Sequence, residues 1–277
     1  MPQRVSTLQR QTDAFRAKVL AMESESTRLL SQTYADALTV LEPRILALSK
    51  QIEEARANGQ EPGISWLFQQ ERYQELRRQL LTLMDQYGEA TKLITTEAQK
   101  VIVREALQHA GNTLLSVSGG SGDEIATLAR GWASVPDESI INLVGAMQSG
   151  TPLDATIQSY GVDAVQDVQQ ALTRGLALGD SAQMTTQVIR ALGVTRARAE
   201  SLVRTETLRA ARTATIAAYQ QSGVVRAWRW SSAHDARCCP ACLALDGRVF
   251  KLTEPHKFHV NCRCSASPVL NDWPDKP

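Results

Sequence analysis

Aromatic residues are scarce in this 277-residue chain, at 5%, and no cysteine precedes Cys238. No apolar run approaches the ~20 residues that a membrane span needs. The opening MPQRVSTLQR leads straight into charged, amphipathic sequence without a signal-peptide pattern, so the thiols are expected to stay reduced. Charge of either sign is not in excess: 30 Lys and Arg face 29 Asp and Glu, and the net charge of +1 points to no nucleic-acid partner by itself. What is present is 43% hydrophobic and 21% charged, a globular composition long enough for one large or two ordinary domains. With aromatics thin and Ala, Leu, Gln, Arg and Thr plentiful, helix is expected to dominate.

The first part, 1–112, reads as a long helical hairpin or bundle. Phe15, Val19 and Met22 follow helical spacing, as do Leu30, Tyr34, Leu38 and Leu41. Pro43 predicts a kink or restart, because an internal proline loses one hydrogen bond and crowds the preceding turn. Asn58 to Gly63 is a turn cluster. Beyond it, Trp66, Leu67, Tyr73, Leu76, Leu80, Leu83 and Met84 mark one side of a second long stretch, Ile64 to Ala110. The Gly- and Ser-rich run from Gly111 to Gly122 is the best candidate linker. It has no following lysine and no clear preceding strand, which excludes a phosphate loop. A helical connector, 113–193, should follow as short helices broken at Val135–Asp137, Gly150–Pro152, Tyr160–Gly161 and Gly179–Asp180. Asp137 and Thr151 are its helix-start signals.

From Val194 to Ser222 the residues Ala199, Leu202, Val203, Ala210, Ala214 and Ala217 fall on one helical stripe. Glu206 lies on the same stripe and must be paired if buried, with Arg209 at i+3 one candidate; it reads as a structural polar pin. Glu200 and Arg204 are spaced for an exposed i,i+4 pair. Eight arginines against two glutamates lie between Arg190 and Arg229. Arg196, Arg198, Arg204, Arg209, Arg212, Arg226 and Arg229 are the candidates for DNA contact, since clustered guanidinium groups suit phosphates. A solvated or internally paired face explains the same cluster. Gly223 should end the helix in a left-handed cap. Alternation in the strand Val224–Trp230 then puts Trp228 and Trp230 on one face and Arg229 on the other.

All five cysteines and three of the four histidines fall within Trp228–Cys264. Cys239-Pro-Ala-Cys242 and His259-Val-Asn-Cys262 are two hooks with the count and spacing of a structural zinc site. One tight turn can aim both ends of each hook at a single ion. The expected ligands are Cys239, Cys242, His259 and Cys262, with Cys264 the substitute, because Cys262 and Cys264 share a face in an extended segment. Asp246-Gly247 between the hooks suggests a two-residue hairpin turn. Cys238 reads as a packed or surface thiol, and His234 and His256 as surface loop residues. Disulfides fit an odd cysteine count poorly, and unligated packing of the thiols is the remaining alternative.

The order of these features resembles the phage Mu protein F-like family of head morphogenesis proteins, minor head proteins of tailed phages. The resemblance rests on Arg204-Thr205-Glu206, Gly223-Val224-Val225, Trp228-Arg229-Trp230 and Asp235, then on Cys239-Pro-Ala-Cys242, Leu245 to Phe250 and His259-Val-Asn-Cys262-Arg-Cys264. Where the family usually shows a threonine before the first cysteine and a proline after the histidine, this chain has Cys238 and Val260. It implies a mostly α protein whose family-like α+β unit, 194–270, is stapled by zinc hooks at 239–264 and followed by a tail, 271–277. The implied role is non-enzymatic, in the virion head after synthesis in the host cytoplasm. Portal, capsid or scaffold proteins are the implied partners, and for some members double-stranded DNA. A nuclease of the His-metal type would need His256 or His234 as base, with Asp235 or Glu254 on a metal. No paired-histidine motif on a helix supports it.

Overall fold

The structure, a computed structural model, describes residues 2–117, 122–133, 153–178, 181–254 and 258–271. Within them the chain forms α1 (Pro2–Ala57), α2 (Ile64–Gln69), α3 (Glu71–Val117), α4 (Gly122–Ala133), α5 (Leu153–Leu178), α6 (Ser181–Gln221), β1 (Val225–Ser231), α7 (Pro240–Leu245), β2 (Val249–Lys251) and β3 (Ser265–Leu270). The chain is mostly helical with a small C-terminal sheet, as composition and periodicity predict.

The long helices carry a period that a short window does not reveal. Leu8, Val19, Leu30, Leu41 and Ile52 are buried along α1, each eleven positions from the next. Tyr73, Met84, Thr95, Ala106 and Val117 repeat the pattern in α3, and Met184, Thr195 and Glu206 begin it in α6. Eleven residues make 3.67 per turn, close to the natural α-helix, so the buried stripe stays aligned over many turns. Small polar residues buried elsewhere on these helices hydrogen-bond to their own backbone. Thr91 Oγ1 donates to the Tyr87 carbonyl at 2.7 Å and Ser26 Oγ to that of Met22 at 3.0 Å.

Several expected breaks are absent. Helix α1 runs unbroken through Pro43, with Arg44 Nη1 donating to the Val40 carbonyl at 2.8 Å. Tyr160–Gly161 lies inside α5. Buried neighbours on that helix, such as Ile157, Ala164 and Val168, outweigh the modest cost of one glycine. The expected linker is helical as far as Val117, and Gly111 has a packing reason: a Cβ there would sit 2.8 Å from that of Ala129 in α4. The second stretch, expected to be helical from Ile64 to Ala110, is broken at Gln70, whose extended backbone (ψ 128) separates α2 from α3. The expected breaks at Val135–Asp137, Gly150–Pro152 and Gly179–Asp180, the Asp137 and Thr151 start signals, and His256 lie outside the described residues, as does the tail after Asn271.

Two compact units emerge. Residues 27–94 and 151–202 form one. Its core holds Leu30, Leu41, Ile45, Leu48, Ile52, Leu67, Leu80, Leu172, Val188 and Leu192. Tyr34 and Tyr87 meet edge to face at 5.9 Å, and Arg196 lies over the Tyr34 ring. Residues 1–26, 95–150 and 203–277 form the other, which contains the sheet and every cysteine. Its three strands are antiparallel in the order β2-β1-β3, with Trp228 opposite Phe250 on one side and Pro268 on the other. Trp228 and Trp230 share a buried face, as alternation predicts. Phe250 stacks on Trp228 at 4.7 Å and Phe258 on Trp230 at 4.6 Å. Four of the chain's few aromatics thus make one cluster.

Candidate metal centre

Helix α6 leads into the site. Gly223, at φ +67, closes the helix in the left-handed conformation that glycine adopts without steric cost, and β1 starts two residues later. After β1 the chain loops through Ser232 to Cys238, where Cys239 caps the short helix α7. Pro240 occupies the first turn, where its missing N–H costs nothing, and the Cys242 amide donates to Cys239 Sγ at 3.4 Å. This single turn aims the thiols of Cys239 and Cys242 the same way. The expected hairpin between the hooks is therefore corrected: a helical turn follows the first hook, and β2 pairs with β1. Asp246-Gly247 still turns the chain, with Gly247 at φ +74 donating its N–H to the Trp230 carbonyl at 2.9 Å.

The second hook is also a turn. The Cys262 amide donates to the His259 carbonyl at 3.1 Å, and Asn261 takes φ +59, a conformation asparagine tolerates better than most residues. The Asn261 amide is held by Thr205 Oγ1 of α6 at 3.0 Å. His259 Nδ1 lies 2.7 Å from the Val260 carbonyl, which can only accept, so Nδ1 carries the hydrogen. In the neutral ring Nε2 then presents a bare lone pair. It lies 3.0 Å from Cys242 Sγ and 3.4 Å from Cys239 Sγ, while Cys242 and Cys262 Sγ are 3.8 Å apart.

These separations can be compared with a coordination polyhedron. Bonds of about 2.3 Å to sulfur and about 2.0 Å to imidazole give tetrahedral edges of about 3.8 Å for S–S and about 3.5 Å for S–N. The donors form two overlapping triads, Cys239/Cys242/His259 and Cys242/Cys262/Cys264, each with its ligand atoms within 4.8 Å of one another. The cluster can hold a metal ion. All five cysteines are free thiols, and Cys238, half-buried, stands outside both triads.

Electrostatics divide the thiols. Burial, then hydrogen bonding with Cys239 and Cys264, pushes Cys242 up to about 12. Its hydrogen bond with Cys262, followed by burial, raises Cys264. Cys262 is lowered by that same bond and by the nearby Arg212 guanidinium, against its burial. The Cys242 amide lowers Cys239. An ion would take the place of the shared protons, since a coordinating thiol is deprotonated outright.

The other expected site residues fall into distinct settings. Glu206 is buried and accepts from Arg209 Nε at 2.5 Å, while Gln99 Nε2 donates to its carbonyl at 3.3 Å. Arg204 pairs with the buried Glu23 at 2.6 Å, so the expected Glu200–Arg204 pair is not formed; Glu200 meets Arg196 at 3.5 Å and accepts from Ser31 Oγ at 2.6 Å. Arg198 faces Asp163 at 3.4 Å, and Arg226 Nε donates to the Leu270 carbonyl at 3.2 Å. Arg229 is half-buried on the face opposite the tryptophans. Arg212 leaves the set of surface arginines altogether: it is buried, and Nη1 donates to the carbonyls of Cys262 and Cys264 at 2.8 and 3.1 Å. A second α6 stripe, Thr205, Leu208, Arg212, Thr215 and Tyr219, was the sequence signal for that burial.

His234 is exposed and has a partner that spacing did not suggest. Its Nε2 lies 2.8 Å from Asp246 Oδ2, and Asp246 Oδ1 accepts from the Ser232 amide at 2.8 Å. Asp235 pairs with Arg263. Among the described residues, neither His234, Asp235 nor Glu254 belongs to a group able to hold a metal.

Comparison with known families agrees with the resemblance seen in the sequence. No curated protein and no solved structure gives a match. Residues 166–267 match the family model described as Phage Mu protein F like protein. The matched span takes in the later part of α5, all of α6, β1, α7 and β2, and every donor of the Cys/His cluster. Over these residues the chain carries the phage Mu protein F-like sequence, and the candidate metal centre lies wholly within it.

Proposed function

We propose that the protein is a minor head protein of a tailed phage that acts in head morphogenesis, with a structural zinc ion closing its C-terminal unit. The family match over residues 166–267 carries the reading, because the span includes both hooks. Zinc suits the donors: thiolate and imidazole in a closed, tetrahedral set are its common structural ligands. Cys239, Cys242, His259 and Cys262 would hold it, with Cys264 beside them. When bound, the ion supplies cross-linking of the two turns and no chemistry of its own. The chain's residues do the rest: α7 and the 259–262 turn orient the donors, and the Val260 carbonyl fixes the imidazole tautomer. The role is non-enzymatic.

The long helices serve as the docking element for portal, capsid or scaffold protein, and the protein resides in the head. Packaged DNA is met by exposed arginines, of which Arg196, Arg198 and Arg226 are the best placed; Arg204 and Arg209 are committed to buried carboxylates. Co-purification with portal protein or procapsids, followed by electron microscopy of the particles, tests the assignment. The expected result is density at the portal vertex that disappears when the gene product is omitted. Procapsids that assemble and mature without ever containing the chain would overturn it.

A further inference from the structure

Helices α5 and α6 lie antiparallel and close: a Cβ on Gly175 would run into the Met184 side chain, and Arg198 reaches Asp163 at 3.4 Å. Along the pair runs a groove of two adjoining recesses, about 450 and 400 Å³ in volume, which share Gln170 and Arg174. Its walls are rich in donors: Arg174 from α5, Arg190 and Arg198 from α6, and the amides of Gln170 and Gln187. Among the described residues that line it, Asp167 is the one carboxylate. Ala171 and Ala191 form the floor, and no aromatic or leucine side chain lines the groove to anchor a partner helix.

The arginines of α6 differ in how they are answered. Arg196, Arg198, Arg204 and Arg209 each meet a carboxylate, from Glu200, Asp163, Glu23 and Glu206 respectively. Arg190, and Arg174 across from it on α5, are exposed and bond no carboxylate among the described residues. One exposed arginine needs no partner, because water solvates it. Unpaired guanidinium groups on both walls of one groove, with amide donors between them, leave a line of donors facing outward. Arg190 and Arg198 stand eight residues apart, about 12 Å along the helix axis, so that line suits an extended, repeating anion better than a single small ion.

We propose that the α5/α6 groove is a nucleic-acid contact, which takes one phosphate ridge of duplex DNA along its length without reading base sequence. The proposal rests on the DNA contact suggested above and goes beyond it, by placing that contact in one groove and adding Arg174 and Arg190 to it. Guanidinium forks match phosphate oxygens, and glutamine amides donate to the same backbone. Such contacts hold register and orientation but carry no sequence information. The chain as a whole has a net charge of only +1, so attraction to DNA has to come from local clustering of this kind.

Anisotropy titration of the full chain with a labelled duplex of mixed sequence, from about 50 to 200 mM salt, provides the test. The wild type is expected to bind, with an affinity that falls steeply as salt rises. R174Q/R190Q should weaken binding about 10-fold at the lowest salt and lower the slope of log K against log salt by about two, one contact for each arginine. R77Q/R78Q removes the same charge from exposed positions of α3 and should leave affinity and slope near those of the wild type. D167N should tighten binding. All four substituted positions of the two double variants are exposed, and far-ultraviolet circular dichroism checks that the fold is kept. Wild-type affinity and slope in R174Q/R190Q, equal weakening in R77Q/R78Q, or no tightening in D167N would each overturn the groove while leaving a DNA contact elsewhere. Labelled polyglutamate bound as tightly as the duplex, with the same dependence on Arg174 and Arg190, would overturn it in favour of an acidic protein segment. A wild-type chain that binds no duplex at the lowest salt would bring down the DNA reading beneath it.

Discussion

The two compact units solve the same problem with different materials. The unit built from residues 27–94 and 151–202 spreads its stabilisation over many small contributions, buried Leu, Ile, Val, Tyr and Met side chains along its helices. The sheet-bearing unit concentrates it: two tryptophans, two phenylalanines, five cysteines and one buried arginine gather around a three-stranded sheet. Truncating one member of the first unit costs stability alone; truncating one of the second also disturbs the cysteine cluster it packs against.

Metal removal should separate the units most sharply. Binding free energy at structural zinc sites is about 10–16 kcal/mol and is coupled to folding. Chelation, or Cys242→Ser, is therefore expected to abolish protease resistance around residues 225–270 while leaving most of the far-ultraviolet helical signal. Equal protease resistance with and without chelator would erase the distinction. Binding should also weaken as pH falls, because protons compete for the thiolates, and Cys242, raised to about 12, holds its proton more tightly than Cys239 or Cys262.

A pair of core truncations gives the next largest contrast. Trp230→Ala should cost about 3–5 kcal/mol and lower metal affinity as well, since Trp230 stacks on Phe258 beside Arg212. Leu41→Ala should cost about 2–5 kcal/mol of stability and leave metal affinity unchanged. Denaturant unfolding combined with zinc competition reads both; equal effects on zinc binding would count against the contrast.

The smallest expected effect is a pH dependence in the helical part of the sheet-bearing unit. His109 stacks on Phe15 at 4.1 Å, and burial lowers its pKa from 6.5 to about 4. Between these values the unfolded chain binds the proton and the folded chain does not, so stability falls as pH drops from about 6.5 towards about 4. The full loss is at most about 3 kcal/mol. His109→Phe should flatten this slope in melts across that range, and a slope that persists would assign it to other groups.

How much of this could be read beforehand varies with the range of the interactions. The Gly223 cap, the tryptophan face of β1 and the two hooks depend on neighbours within a few residues, and their sequence patterns are local. The Asp246-Gly247 turn was legible, but its strand partner was not: β2 pairs with β1, twenty residues back, and nothing local distinguishes that from a hairpin between the hooks. A restart at Pro43 and a break at Tyr160–Gly161 are absent because tertiary burial overrides local propensity. Glu200 and Arg204 are ideally spaced, yet each found a different partner.

The sequence by itself determined that the chain is mostly helical and that Cys239, Cys242, His259 and Cys262 come as two hooks near the C-terminus. Those conclusions follow from periodicity and from the reach of a single turn. Only the tertiary structure decided that Arg212 lies inside against the Cys262 and Cys264 carbonyls, that Glu23 answers Arg204, and that five donors converge where four were expected. A side chain's charge is written in the sequence, but whether that charge meets solvent, a carboxylate or a thiol depends on residues brought together from far along the chain.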